Sequence, residues 1–341
     1  MGLLNSIKPN KVTADILNYK QLIAGRPKTG KTSLFANMIS LKNDGDMSKG
    51  LLVAFERGYQ ALDGVHAYDI EEWEDFQELV EELVENKDET SYEVIGLDTI
   101  DILIQRATDY VISRQSIADK KRYTALADIA WGKGYALLDE AISSEVDKLD
   151  QAGYGLVYIT HDKDKTMTTR EGLEYNKTVI SAGGRGGDYF RNSADLIVFI
   201  ELTKEVEKGK KVDKRYIYFR GDADMEAGSR FKHAPVRVEY SAENYIDAIE
   251  GAIEKEYGSK KAVTQAKKKQ AKEAEQEKKE EKKELGPEEL IDEINALVKD
   301  LTDAKKKKLA PQLKEKFSTA NYTKMEDVKE LKKVLKMVKE L

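Results

Sequence analysis

The sequence predicts an α/β fold in which a mostly parallel, twisted sheet is covered by helices on both faces. Three observations lead there. From residue 19 onward, short and nearly continuous apolar runs alternate with segments of helical periodicity, the pattern of strands buried on both faces. A glycine loop, Gly25-Arg26-Pro27-Lys28-Thr29-Gly30-Lys31-Thr32, stands at the first strand-to-helix junction, where backbone N–H groups and a helix N-terminus together hold an anion. The composition then changes near Tyr257-Gly258, beyond which a charged stretch leads to a separate helical segment.

In chain order, residues 1–17 read as a strand or an arm. Tyr19–Ala24 is a short, partly apolar strand, and Ser33–Ser40 a helix with Leu34, Met38 and Ile39 on one face. Leu51–Phe55 is a buried strand that runs into Glu56-Arg57-Gly58, and His66–Ile70 a further short strand. Glu72–Glu85 carries Trp73, Phe76, Leu79, Val80 and Leu83 as a helical stripe. Tyr92–Leu97 is the next strand, closed by Asp98, and Ile100–Ser113 the helix after it. Tyr123–Leu149 reads as one long helical stretch, softened at Gly132 and Gly134. Gly155–Ile159 is a strand ending in Thr160-His161. The strands Leu196–Ile200, Arg215–Phe219 and Val236–Tyr240 are separated by polar segments and predict antiparallel pairing at the C-terminal side. These residues, 1–258, form the predicted core domain.

From 259 to 285 the chain is almost all Lys, Glu, Gln and Ala, which cannot bury a face and predicts a solvated helix or tether. Residues 286–341 predict a small helical bundle: Leu290, Ile291, Ile294, Leu297, Val298 and Leu301 on one helix, and Leu309, Leu313 and Phe317 on a short second one. A third is announced by the capping-box pattern Thr323–Glu326. The formal net charge of -6 hides an asymmetry: residues 259–341 hold 23 Lys against 17 acids (+6), leaving 34 basic and 46 acidic residues (-12) in 1–258. A nucleic-acid footprint must therefore be local, in particular loops or in the tail, or be absent. The chain has no Cys, which excludes disulfides and thiolate metal sites and fits a reducing cytoplasm. No secretory pattern opens the sequence, and no apolar run approaches the ~18 residues of a membrane span.

The glycine loop has the form G-x-x-x-x-G-K-T, a phosphate-binding loop. Gly25 and Gly30 permit torsions that a Cβ resists. Residues Gly25, Arg26, Pro27, Lys28, Thr29, Gly30, Lys31, Thr32 and Ser33 are the candidate nucleotide-binding set, with Lys31 reaching the β- and γ-phosphates and Thr32 taking Mg²⁺. Asp98 at a strand end is either a second Mg²⁺ ligand or a helix cap; the phosphate loop favours the ligand. Asp101 reads as an exposed first-turn residue. Glu56, at the tip of the strand after the loop helix, is a candidate to orient the attacking water, against an ordinary solvent-facing Glu. Thr160 and His161 either sense the γ-phosphate or simply end a strand. The long segment Asp162–Arg191 interleaves Lys163, Lys165, Arg170, Lys177, Arg185 and Arg191 with Tyr175, Tyr189 and Phe190 around a flexible Ser181–Gly187 run. That suits single-stranded nucleic acid, the alternative being a lid or packing role. Lys120-Lys121-Arg122-Tyr123 is a weaker patch of the same kind. Arg220 and Arg230 are candidates to reach a neighbouring subunit's γ-phosphate, or else surface ion-pair partners.

On these residues the sequence resembles the RecA superfamily. The resemblance rests on the loop Gly25–Thr32, Glu56 after the next strand, the strand-end Asp98, Thr160-His161 leading into a glycine-rich segment, and late strands bearing arginines. Trp131-Gly132-Lys133-Gly134-Tyr135 and Tyr158–His161 make it similar to the phage nucleotide-binding proteins that act as RecA-like single-strand annealing recombinases. The resemblance covers about residues 18–257. It implies a RecA-like core with ATP and Mg²⁺, DNA-stimulated ATP hydrolysis, single-stranded DNA as partner, a homo-oligomeric ring or filament, and a place in the cytoplasm of a bacterial host. The C-terminal helices lie outside that common core and are candidates for docking a single-strand-binding protein.

Overall fold

The computed structural model describes residues 12, 15–207, 210–257 and 287–300, together with 309, 311, 313–314, 317, 321–325 and 327–339. The chain divides between Lys267 and Lys268 into two compact units. The predicted tether, 259–285, lies outside the described residues, as does most of the predicted arm 1–17.

The first unit is built on β1 (Gln21–Gly25), β2 (Gly50–Ala54), β3 (His66–Asp69), β4 (Val94–Asp98), β5 (Gly155–Thr160), β8 (Leu196–Glu207), β9 (Lys210–Tyr218), β10 (Gly228–Ser229) and β11 (Arg237–Glu239), while β6 (Asp162–Thr168) and β7 (Glu174–Ile180) pair apart from them. The sheet order is β11-β9-β8-β1-β5-β4-β2-β3, with β10 on β8. Strands β8, β1, β5, β4, β2 and β3 run parallel; β9, β10 and β11 are antiparallel to their partners. This is the predicted α/β architecture of a P-loop core.

The apolar runs are continuous because alternate residues serve opposite faces. Leu22, Ala24, Leu51, Val53, Ile95, Leu97, Leu156 and Tyr158 face one core. That core is completed by α2 (Trp73–Glu85), α3 (Ile100–Ala118), α4 (Lys133–Gln151) and α5 (Gly184–Ser193). Ile23, Leu52, Val94, Val157, Ile159, Val198 and Ile200 face the other, against α1 (Lys31–Lys42) and α6 (Ala242–Tyr257). Each such fully buried aliphatic side chain contributes about 1.5–3 kcal/mol of transfer free energy. Gly96 of β4 lies where a Cβ would stand 3.0 Å from the Phe35 ring, so the missing side chain lets α1 settle onto the sheet.

Two expectations are corrected here. Tyr123–Leu149 is not one helix: two short 3-10 turns, Leu126–Asp128 and Ala130–Gly132, precede α4. Trp131 and Gly132 both take left-handed torsions, φ 59° and 70°, which end the turn and start the helix afresh at Lys133. The segment Asp162–Arg191 is not a long irregular loop. It is the β6–β7 hairpin followed by α5, and the glycine-rich run opens that helix. Gly187 sits where a Cβ would stand 2.1 Å from the Ala182 carbonyl oxygen, so the glycine serves a close backbone approach and not flexibility.

In the second unit the helices Pro287–Asp300 and Val328–Lys339 share a core of Leu290, Ile294, Leu331, Val334, Met337 and Val338, joined by Leu309 and Leu313. The helical bundle forms as its stripes require. Thr323, the first residue of the expected capping box, lies in a 3-10 turn capped by the Asn321 side chain, and the last helix begins at Val328; Glu326, the other half of that box, lies outside the described residues.

Candidate nucleotide site

All the parallel strands deliver their carboxyl ends to one edge of the sheet, where ligands of such folds collect. The loop after β1 turns there into α1. Gly25 packs so tightly that a Cβ would stand 2.8 Å from the Ile200 carbonyl oxygen, and Gly30 has φ 97°. Thr29 Oγ1 donates to the Arg26 carbonyl (2.8 Å), closing the loop on itself. The Lys31 ammonium is buried and donates to the carbonyls of Gly25 (2.8 Å) and Arg26 (3.1 Å). Burial pulls its pKa down, against the opposing pull of Asp98, Asp162, Asp101 and Glu56.

Thr32 Oγ1 donates to Asp98 Oδ2 at 2.6 Å. Burial raises the Asp98 pKa, while the Thr32 hydrogen bond and Lys31 oppose the rise. Hydroxyl and carboxylate oxygens are the hard donors that Mg²⁺ takes, usually beside substrate phosphates and without a full protein cage. The pair fits the ion: Thr32 and Asp98 would hold it, and it would supply positive charge to the phosphates. The Asp98 carbonyl accepts from the backbone N–H of Phe55 (2.7 Å) and of Glu56 (3.1 Å), which brings the Glu56 side chain to the same edge.

His161 joins the group. Its Nδ1 lies 3.3 Å from Lys31 Nζ and its Nε2 3.6 Å from Glu56 Oε2. A charged Lys31 ammonium has donors and no acceptor, so against it Nδ1 accepts, and a neutral ring then carries its proton on Nε2, toward Glu56. Asp101 is not the exposed residue expected. It accepts from Thr160 Oγ1 (2.8 Å), the His161 backbone N–H (3.1 Å) and Ser181 Oγ, because the first turn of α3 faces the ends of β5 and β7. Pro27, Lys28, Gly30, Lys31, Thr32, Ser33, Glu56, Asp98 and His161 thus line one cavity of about 370 Å³, together with Gly58 and Thr99.

Two functional neighbours escape sequence reasoning. Tyr240, just past β11, donates its hydroxyl to the Gly30 carbonyl at 2.7 Å. The Arg215 guanidinium lies 4.8 Å from the centre of the Tyr240 ring, and its Nη1 would be 3.1 Å from a Cβ on Gly30. Arg215 opens one of the late strands expected to bear arginines, but nothing in the sequence singles it out for this loop, and nothing local marks Tyr240. Arg220 and Arg230 are elsewhere. Arg230 pairs with Asp195 (3.1 Å), whose carboxylate also accepts from the Lys20 N–H before β1, and Arg220 donates to the Lys232 carbonyl (2.5 Å). Arg230 therefore sits at the opposite end of the sheet from its own phosphate loop.

The β6–β7 hairpin has two unlike faces. Cross-strand partners share a face, and Lys165 is paired with Lys177, Lys163 with Val179 and Met167 with Tyr175. The lysines line a cavity of about 690 Å³ with Gly183, Gly184 and Arg191, and three acids, Asp164, Asp188 and Glu226, share it. The other face carries Asp162 and Asp164, and both meet Arg26 of the phosphate loop, at 3.4 and 2.7 Å. Burial pushes the Asp162 pKa up, with Arg26 opposing. Arg170 is exposed beyond β6, Arg185 pairs with Asp139 (3.2 Å), and Arg191 pairs with Asp188 (2.5 Å) and Glu226 (2.9 Å). The arginines of the segment are thus partly engaged within the fold. No helix among the described residues is long and apolar enough to cross a membrane.

The chain is similar to the SPbeta prophage-derived uncharacterized protein YorG of Bacillus subtilis (strain 168): 24% identical over 254 residues, covering 71% of this chain and 72% of that protein. The sequence pattern of the AAA domain matches residues 17–231, from the turn before β1 to just past β10. That span holds the phosphate loop, Glu56, Asp98 and His161, and with it the chain belongs to the AAA domain family of P-loop ATPases.

Proposed function

We propose that this protein is an ATP-dependent, single-stranded-DNA-binding protein that promotes strand annealing or exchange in phage DNA recombination or replication. The observation that carries the reading is the hairpin: a lysine face on one side, and on the other two carboxylates tied to Arg26 of the phosphate loop. Lys165 directly opposite Lys177 is a like-charge pair, unfavourable on its own and relieved by a polyanion. Met167 and Tyr175 extend the same face with apolar and aromatic surface suited to unstacked bases. The prophage origin of YorG supports the phage setting.

Within this reading ATP sits on Gly25–Ser33, Lys31 contacts the β- and γ-phosphates, and Glu56 polarises the water. Lys163, Lys165, Arg170, Lys177, Arg185 and Arg191 make up the DNA-facing set. His161, hydrogen-bonding distance from Lys31 and beside Glu56, reports the γ-phosphate to the hairpin whose first residue follows it. Arg230, remote from its own loop, or Arg220 would act on a neighbouring subunit in a ring or filament, and the C-terminal helices would dock a single-strand-binding protein.

The test is ATP turnover with and without poly-dT, combined with binding of labelled poly-dT across a salt series. Stimulated turnover and steeply salt-sensitive binding are expected. The double variant Lys165→Gln, Lys177→Gln should lower the log–log salt slope by about 1.4, at ~0.7 per single-strand phosphate contact. Turnover indifferent to poly-dT, with no binding, would leave a P-loop ATPase without a DNA role. Annealing of complementary strands without unwinding supports the recombinase; unwinding with fixed polarity would replace it with a motor.

A further inference from the structure

Trp131 is fully exposed, whereas Trp73, the chain's other tryptophan, is buried among α2 and α3. Its backbone is as unusual as its exposure: φ 59° and ψ 29° lie in the left-handed region, which bulky residues rarely adopt. The turn that carries it is tied down on both sides. Asp128 accepts from the backbone N–H of Thr124 (3.0 Å) and of Ala125 (2.9 Å), and Ile129 is buried. Gly134 passes so close that a Cβ would stand 2.3 Å from the Leu126 carbonyl oxygen. The fold therefore accepts backbone strain to hold a large aromatic ring in water on a fixed mount. Strain of this kind gathers at ligand clamps, and exposed tryptophan at interfaces. The surroundings point to the chemistry of the ligand. Residues 119–135 carry Lys120, Lys121, Arg122 and Lys133 against Asp119 and Asp128, a local excess of positive charge in an acidic unit. All four cations are exposed. Lys121 and Lys133 both act on the Asp119 carboxylate, so the run 120–122 and the turn at Trp131 are neighbours. The two acids are engaged by the turn itself, Asp128 as above and Asp119 by Gln115 Nε2 (2.7 Å) and the Tyr123 hydroxyl (3.0 Å). On α4, the exposed Tyr135 has the Arg185 guanidinium 6.0 Å from its ring centre, and Gly184, next to Arg185, lines the lysine cavity of the hairpin.

We propose that Trp131 is a base-stacking residue for single-stranded nucleic acid, with Lys120, Lys121, Arg122 and Lys133 attracting the phosphates on either side of the stacked base. This rests on the single-stranded-DNA reading and extends its site, from the hairpin lysines past Arg185 and Tyr135 to the turn before α4. An unpaired base offers its π-face to the indole whatever its identity, so the contact adds affinity without sequence preference. The cations favour a polyanion over an apolar protein surface as the occupant.

The test titrates the full chain and Trp131→Ala with poly-dT and with a phosphodiester strand of abasic sites, following tryptophan emission, iodide quenching and melting temperature. With Trp73 buried, iodide reports on Trp131. Poly-dT should quench the exposed emission and shield it from iodide. Trp131→Ala should bind poly-dT about 5- to 150-fold more weakly with an unchanged salt slope, since a base contact is lost and no phosphate contact is. It should melt as the wild type does, and the abasic strand should bind both chains alike. Unchanged poly-dT affinity in Trp131→Ala overturns the proposal and leaves the DNA reading standing, as does an equal loss on the abasic strand or a lowered melting temperature. Shielding from iodide without DNA, on raising the protein concentration or adding phosphatidylserine vesicles, assigns the ring to a protein or membrane contact and overturns it too. A wild-type chain that binds neither strand overturns the DNA reading itself, which separates the two failures.

Discussion

Lys31 holds an ammonium in a place that disfavours charge, and the carbonyls of Gly25 and Arg26 satisfy it. Lys31→Ala removes both the donor and the one buried cation at the loop's centre. Nucleotide binding, followed by titration calorimetry, should be lost. Glu56 poses a different question, because its side chain is 55% exposed and reaches the site only from the edge. Glu56→Gln keeps the shape and removes the base, so it should bind ATP with near-normal affinity and lose turnover by roughly 100-fold or more. Retained turnover would take Glu56 out of the water-activating role. Both residues were legible from sequence because their positions are set locally, one by a glycine loop and the other by the end of an apolar run. Asp101 was not, since its three partners come from the ends of β5 and β7 and no spacing in the chain announces them.

At the level of elements, the hairpin joins the proposed DNA face to the phosphate loop, through Asp162 and Asp164 beside Arg26. Arg26 is 55% exposed and its partner Asp164 57%, so their bond is worth only a few tenths to ~1 kcal/mol. As a coupling energy this is roughly 1.5- to 5-fold in affinity. Poly-dT affinity measured with and without an ATP analogue should differ by such a factor in the wild type and by less in Asp164→Asn. Equal factors in both would free the hairpin from the phosphate loop. The sequence read this region as a loop because Asp162–Thr168 opens with four charged residues and Glu174–Ile180 shows its strand formers mainly at one end. They pair because every second residue has a partner across the ladder, and period-two pairing between two polar strands leaves no apolar trace. The buried strands β1, β2, β4 and β5 left that trace and were found within a residue or two.

Across the whole molecule, stability carries a pH signature. Tyr154, Tyr158, Tyr189 and Tyr245 all have hydroxyl pKa values raised by burial, that of Tyr154 from 10.0 to about 12. Unfolded tyrosine loses its proton near 10. Between there and about 12 the unfolded chain releases protons that the folded Tyr154 keeps, so stability is full below pH 10 and falls as pH rises through the window. Denaturant melts at pH 8 to 11 should show that fall. Tyr154→Phe should soften it, at about 1 kcal/mol of neutral-pH stability for the lost bond to the Leu83 carbonyl. Composition and hydropathy predict a sheet-built unit and a helical one, and each group of elements buries its own apolar surface. What they could not supply is closure over long separations. The Tyr240 hydroxyl rests on the Gly30 carbonyl across 210 positions.

That clasp orders events during synthesis. The phosphate loop leaves the ribosome early, with its motif complete, while β8, Arg215 and Tyr240 are still untranslated. A chain stalled between the loop and them carries every letter of the nucleotide motif without the Tyr240 bond that holds Gly30. The loop's Gly30 carbonyl therefore gains its Tyr240 partner only when nearly all of the first unit has emerged.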